Sequence, residues 1–168
     1  MTQDLRDDIV KLLPRLRRFA LGLCGRHEDA DDLVQAACEK ALTRLDQFEV
    51  GTRLDSWMFR IVQTQWIDLA RRRNTRGDPV AADDIPDIAD DNAHRTVEER
   101  NHLVFVLNAM QRLPEEQRAV LMLVCVEDLN YREAAAVLDV PMGTIMSRLS
   151  RARLRLSELL STSSECPT

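Results

Sequence analysis

The sequence predicts an all-α protein: two small helical domains joined by an acidic flexible linker, the C-terminal one with a helix-turn-helix. Three observations carry this expectation. Apolar residues recur at three- and four-residue steps through most of the 168 residues, the spacing that lines one face of a helix. Only five glycines and a 4% aromatic share, beside abundant Ala, Leu, Arg, Asp and Glu, favour helix over sheet. Gly77 to Asn92 contains Pro79, Pro86 and six aspartates with little periodicity. Such a stretch buries too little apolar surface to fold and reads as a linker.

The elements follow in order. Leu5, Ile9, Leu12, Leu16, Phe19 and Leu23 line one helical face, and Gly22 and Gly25 mark its end. A second helix starts near Glu28, with acids in its first turn where the helix dipole favours them; its apolar face is Leu33, Val34, Ala37, Ala41, Leu42 and Leu45. A short loop spans Phe48 to Arg53. A third helix runs from about Leu54 to Arg73 with Trp57, Ile61 and Ile67 turned inward. Beyond the linker, Val97, Leu103, Leu107, Met110 and Leu113 form the next stripe, and Pro114 opens a further helix at its tolerated first position. Asn130 with Glu133 has capping-box spacing and starts a short helix through Leu138. The turn Asp139 to Gly143 leads into a last helix ending near Leu160, with a frayed tail. The domain limits are therefore 1–76, a linker at 77–95, 96–161, and a tail at 162–168.

The 45% hydrophobic share suffices for packed cores, yet no stretch approaches the roughly 20 apolar residues of a membrane span. The opening MTQDLRDDIVKLL lacks the basic start and apolar run of a secretion signal, so a cytoplasmic protein without membrane insertion is expected. Cys24, Cys38, Cys125 and Cys166 form no CxxC pair, and His27, His94 and His102 are scattered; no metal and no cofactor is expected. Cys38 and Cys125 fall within helical apolar patterns and read as small core residues.

The net charge of −5 argues against a polyanionic partner, but its distribution reverses that reading. Arg53 to Arg76 holds six arginines against two aspartates, and Asp139 to Leu160 holds four arginines against Asp139 and Glu158. Asp78 to Glu99 holds eight acids against one arginine. Two basic patches flank an acidic strip.

The last two helices form a helix-turn-helix pattern. On the final one Ile145, Leu149, Ala152, Leu156 and Leu159 share one face and should pack inward. Ser147, Ser150, Arg151 and Arg155 then project outward, as hydroxyls and guanidinium groups suited to a major groove. Arg148 and Arg153 flank this face, nearer phosphates. A solvated basic helix is the plainer alternative.

The stretch from Leu113 to Leu160, above all PMGTIMSRLSRAR, resembles the C-terminal promoter-binding domain of extracytoplasmic-function RNA polymerase sigma factors. DADDLVQAACEKAL (Asp29 to Leu42) resembles that family's polymerase-docking helix, and LDSWMFRIVQTQWIDLARRR (Leu54 to Arg73) its helix for the −10 element. Both halves occur in family order around a linker, and the resemblance covers nearly everything except the tail and the linker's own sequence.

The resemblance implies roles residue by residue. Asp32, Leu33, Val34 and Gln35 match the positions that dock on the clamp of the polymerase's largest subunit, although Leu33 and Val34 also read as core. Phe48, Gly51, Thr52 and Arg53 match the loop that captures a base flipped from the melting −10 element, which needs backbone room and polar groups. Phe48 reads equally as a core plug, and Trp57 as core more readily than as a stacking platform. Thr64, Asp68, Arg71, Arg72, Arg73 and Arg76 follow along the −10 helix, the arginines suited to phosphates or to a solvated helix end. Thr144, Met146, Ser147, Arg148, Ser150, Arg151 and Arg155 match the −35 contacts.

Two departures from the family stand out: members often carry Asn at the position of Thr64 and Lys or Arg at that of Met146. The implied partners are core RNA polymerase, at its clamp and flap region, promoter DNA, and an anti-sigma factor. The acidic linker reads either as a strand threading a polymerase channel or as a solvated tether. Two other classes remain open: a helix-turn-helix regulator acting without polymerase docking, and a sigma mimic that sequesters an anti-sigma factor. An enzyme is least supported, for want of a phosphate loop, metal cluster or nucleophile–base pair.

Overall fold

The computed structural model describes residues 2–77 and 96–163. The expected linker after Gly77, the end of the expected tail, Cys166 and His94 lie outside the described residues. Among the described residues every regular element is helical.

Helix α1 (Thr2–Cys24) buries Ile9, Leu16, Phe19 and Leu23, the stripe that the periodicity predicts. It stops at Gly25, whose φ of 76° lies in the left-handed region that glycine enters without steric cost. Helix α2 (His27–Thr43) packs on α1 through Ala30, Leu33, Val34, Ala37 and Ala41. A 3-10 turn at Leu45–Gln47 and a loop lead into α3 (Leu54–Arg76), which closes against both helices. Phe19 and Phe59 meet edge to face there, with centroids 5.1 Å apart.

The second half consists of α4 (Val97–Gln111), α5 (Glu115–Leu121), α6 (Tyr131–Leu138) and α7 (Met142–Ser163). Thr96 and Asn130 each cap the helix that follows with a reciprocal capping box, pairing with Glu99 and Glu133. Pro114 stands one position earlier than expected, at the N-cap of α5. Between α5 and α6 the backbone widens into a π-helical segment, Met122–Val126, that sequence periodicity does not announce. The Glu127 N–H donates to the Met122 carbonyl at 2.9 Å as this segment ends, and Glu127 is left only 3% exposed.

Four packing expectations are corrected. Leu42, Ile67 and Val97 are 44%, 37% and 72% exposed. The inward face of α3 is instead Met58, Phe59, Val62 and Trp66, and Ile67 follows Trp66 by one residue, about 100° around the helix. Leu42 and Val97 sit in a last and a first turn, at the ends of their helices. Cys125 is exposed, because the π segment turns it outward beside Arg153, whose Nη2 lies 3.6 Å from its sulfur.

The two halves are packed together. Helix α1 meets α4 and α5, α3 meets α6, and a single apolar core runs from Ile9 to Ala152. Gly22 and Gly25 make the close approach possible. A methyl group on either would collide with the side chain of Met122 or Gln111 respectively. Arg118, 7% exposed, threads the junction. Its guanidinium donates to the Leu23 carbonyl of α1 and to the carbonyls of Met110, Gln111 and Leu113 at 3.2, 3.2 and 3.0 Å. Burial pulls its pKa below the ordinary arginine value; the ring of carbonyl acceptors is what a buried cation needs in place of water.

Candidate nucleic-acid interface

The α2–α3 corner forms a pocket of about 160 Å³ lined by Lys40, Arg44, Gln47, Trp57, Arg60, Ile61 and Thr64. Trp57 supplies a half-buried aromatic wall, backed by Phe48 at 5.4 Å between ring centroids. Phe48 is thus half-buried against Trp57. Three cations around an aromatic wall suit an unstacked base with its phosphates. Lys40, Arg44 and Arg60 are absent from the residues expected from sequence. The available signal is that Trp57, Arg60 and Thr64 follow one another at helical steps of three and four. Lys40 and Arg44 also lie four apart, at the end of the preceding helix.

The adjoining loop is a tight turn. The Thr52 hydroxyl and N–H both donate to the Glu49 carbonyl, at 2.7 and 3.1 Å, and Gly51 adopts a φ of 98° in open space. Arg53 is 48% exposed but engaged: it donates to both oxygens of Asp55 at 3.0 and 2.6 Å and to Glu133 of α6. Burial alone would raise the Asp55 carboxyl, but hydrogen bonds from Arg53, Arg15 and the Ser56 N–H outweigh it and hold it below its ordinary value. The Asn130 N–H, and then Arg53, do the same for Glu133.

Along α3, Thr64 is exposed, with its hydroxyl donating to the Arg60 carbonyl at 2.8 Å, and Asp68 is half-buried. Arg71, Arg72 and Arg76 are exposed. Arg73 is set apart, because its guanidinium grips Asp29 of α2 at 2.8 and 3.2 Å. On α2, Asp32 and Gln35 face solvent whereas Leu33 and Val34 are 3% and 5% exposed.

The second surface is the outer face of α7. Ile145, Leu149 and Ala152 are buried, as their spacing requires, and anchor the helix on α5 and α6. Met146, Ser147, Ser150, Arg151 and Arg155 are exposed and Thr144 is half-buried. Arg148 leans to Glu116 at 3.3 Å, and Arg155 lies 3.5 Å from Glu158. Among the described residues no His, Cys, Asp and Glu group could hold a metal ion, and no helix is long and apolar enough to cross a membrane.

Residues 9–76 match the family described as Sigma-70 region 2, and residues 106–156 match Sigma-70, region 4. The chain is 37% identical over 163 residues to the ECF RNA polymerase sigma factor EcfG of Rhodopseudomonas palustris, covering 95% of this chain and 87% of that protein. It is similar, with a TM-score of 0.80 and 32% identity, to the sigma factor RpoE of Bartonella quintana solved in complex with the anti-sigma factor NepR, over 95% of this chain and 98% of that one. A second likeness, with a TM-score of 0.72 and 25% identity, is to CnrH in complex with the cytosolic domain of CnrY, over 96% and 90% of the two chains.

Proposed function

The chain belongs to the extracytoplasmic-function family of RNA polymerase sigma factors, and from that premise we propose how its residues divide the work of bringing core polymerase to a promoter. The observation that carries the proposal is the placement of two cationic surfaces on opposite halves of one chain: the pocket at Trp57 and the outer face of α7.

Residues 1–76 form the polymerase-docking and −10 domain, 77–95 the linker, 96–161 the −35 domain and 162–168 a tail. Asp32 and Gln35 meet the polymerase clamp, while Leu33 and Val34 hold α2 in place from the core side. The pocket at Trp57, Arg60 and Thr64, with the Gly51–Arg53 loop, takes an unstacked base of the −10 strand. Arg71, Arg72 and Arg76 follow its phosphates. The face from Thr144 to Arg155 enters the −35 major groove, and the second domain also meets the polymerase flap. Each half alone binds weakly, and the linkage raises the effective concentration of the second contact. The protein works in the cytoplasm as a specificity subunit and not as an enzyme.

The packing of the halves gives this scheme a switch. Arg53 cannot hold Glu133 of α6 and a promoter strand at once, so docking of the second domain on the first competes with −10 binding. An anti-sigma factor, by likeness to the complexes with NepR and CnrY, is the partner that keeps the chain from polymerase. The test is association with purified core polymerase. Asp32→Ala with Gln35→Ala should weaken it at least tenfold while Arg151→Ala leaves it intact, and equal affinity for all three proteins would refute the docking assignment.

A further inference from the structure

We propose that Met146 reads the C5-methyl group of a thymine in the −35 element, so that this protein recognises one base step by apolar contact. The inference rests on the −35 role of α7 proposed above and adds the chemistry of one contact.

Met146 is 51% exposed in the second turn of α7, and Met142, four residues earlier on the same face, is 50% exposed. The core-facing apolar residues of those turns, Ile145 and Leu149, are 0% and 2% exposed, so the two methionines are not displaced core. The other solvent-side neighbours of Met146 are short. Gly143 has nothing within 4 Å of where a Cβ would stand, and Ser147 and Ser150 are small and exposed. A long unbranched thioether therefore stands exposed among short neighbours on the outer face of α7.

The partner of this projection is duplex DNA, because Arg151 and Arg155 flank the face with positive charge and a helix-turn-helix presents the N-terminal turns of its second helix to base edges. Thioethers neither donate nor accept strong hydrogen bonds. In the major groove the one apolar feature of a base edge is the thymine methyl. A flexible, polarisable side chain adapts to it without the exact placement a hydrogen bond demands.

The test uses holoenzyme assembled from core polymerase and the full chain, on a promoter fragment selected by run-off transcription. Each thymine of its −35 element, on either strand, is replaced in turn by deoxyuridine, which removes the methyl and keeps base pairing. Substitution at one or two positions should weaken binding about three- to fourfold, the size of one buried methyl group. The same substitutions should change binding by the Met146→Ala holoenzyme less than about 1.3-fold, because the contact of one such group is already gone. Binding of Met146→Ala to the thymine fragment, and its unchanged thermal transition, report that the variant is folded. If no −35 deoxyuridine weakens the wild-type complex, or if the loss persists in Met146→Ala, the inference is wrong although promoter binding stands. A holoenzyme that selects no fragment removes the promoter reading and this inference with it.

Discussion

The Glu127 carboxylate, with none of its side chain exposed, accepts hydrogen bonds from two arginines of α1: Arg15 at 3.1 Å and Arg18 at 2.8 and 3.0 Å. It ties the second half of the chain to the first through a π-helical turn. Arg15 continues the chain of charge to Asp55 at 3.0 Å, and Asp55 to Arg53. The two halves are therefore latched by an alternating line of charges beside their shared apolar core.

Removing either side of the Glu127 ion pairs should not cost the same. Arg15 and Arg18 are 31% and 52% exposed in their side chains, so in Glu127→Gln they can turn to water, and the loss should be about 1–3 kcal/mol. Arg15→Met with Arg18→Met leaves a buried carboxylate without a cation, for about 3–5 kcal/mol. Urea denaturation of the two variants measures the difference. Equal losses would mean that Glu127 reaches water when its partners are gone.

Arg118→Leu removes a guanidinium from four carbonyl acceptors while retaining apolar bulk. Those carbonyls end helix α1 and line the turn between α4 and α5; the Met110 carbonyl keeps the Leu113 N–H at 3.0 Å, and each buried acceptor left unsatisfied costs about 1–3 kcal/mol when water cannot reach it. A drop of at least about 3 kcal/mol in unfolding free energy is expected on that scale, with the helical signal retained at low temperature.

Gly25→Ala places a Cβ at a φ of 76° and against the Gln111 side chain. The backbone conformation alone costs about 1–2 kcal/mol. Thermal unfolding should show it, whereas Gly51→Ala, with open space around a φ of 98°, should pay the backbone cost alone.

The helix sequence from Arg71 to Arg76 contains one arginine that behaves differently from the rest. Arg71→Gln, Arg72→Gln and Arg76→Gln should each weaken promoter binding across sequences and lower the salt slope by about one. Arg73→Gln should instead lower thermal stability, because its partner is Asp29, and change the slope less. Titrations from 50 to 200 mM salt, roughly the range over which phosphate contacts are lost, separate the two classes.

Much of this is legible in the sequence itself. Helix spacing alone places Ile9, Leu16, Phe19 and Leu23 in the core, as it does Ile145, Leu149 and Ala152, because each face has one apolar stripe. The Asn130–Glu133 cap was readable from its residues. What stayed hidden depends on contacts remote in sequence. Nothing local announces that Glu127 is interior, since Arg15 and Arg18 lie more than a hundred residues away in the chain, and Arg118 is drawn inside as much by the remote Leu23 carbonyl as by the nearby turn of Met110 to Leu113. The phase of α3 departs from expectation at Ile67 because Trp57, Ile61, Trp66 and Ile67 offer apolar groups on more than one face, and only packing against α1 and α2 selects among them. The cations at Lys40, Arg44 and Arg60 converge only when the α2–α3 corner closes.

Acid should destabilise the fold around Asp55 and Glu133. Asp55 and Glu133 both have pKa values below their ordinary ones, so their contribution is fully present above the unfolded carboxylate value of about 4. It is lost as pH falls below that through the lower folded values. Thermal unfolding at pH 7 and pH 3 should show the loss on acidification, and Asp55→Asn with Glu133→Gln should shrink that difference.

The central claim is tested most directly by run-off transcription with purified core polymerase on a pool of promoter fragments, with and without the protein. Initiation that depends on the protein and arises from a subset sharing one −35 and one −10 sequence is the predicted result. Initiation that is unchanged by the protein, together with no binding to core, would contradict the assignment.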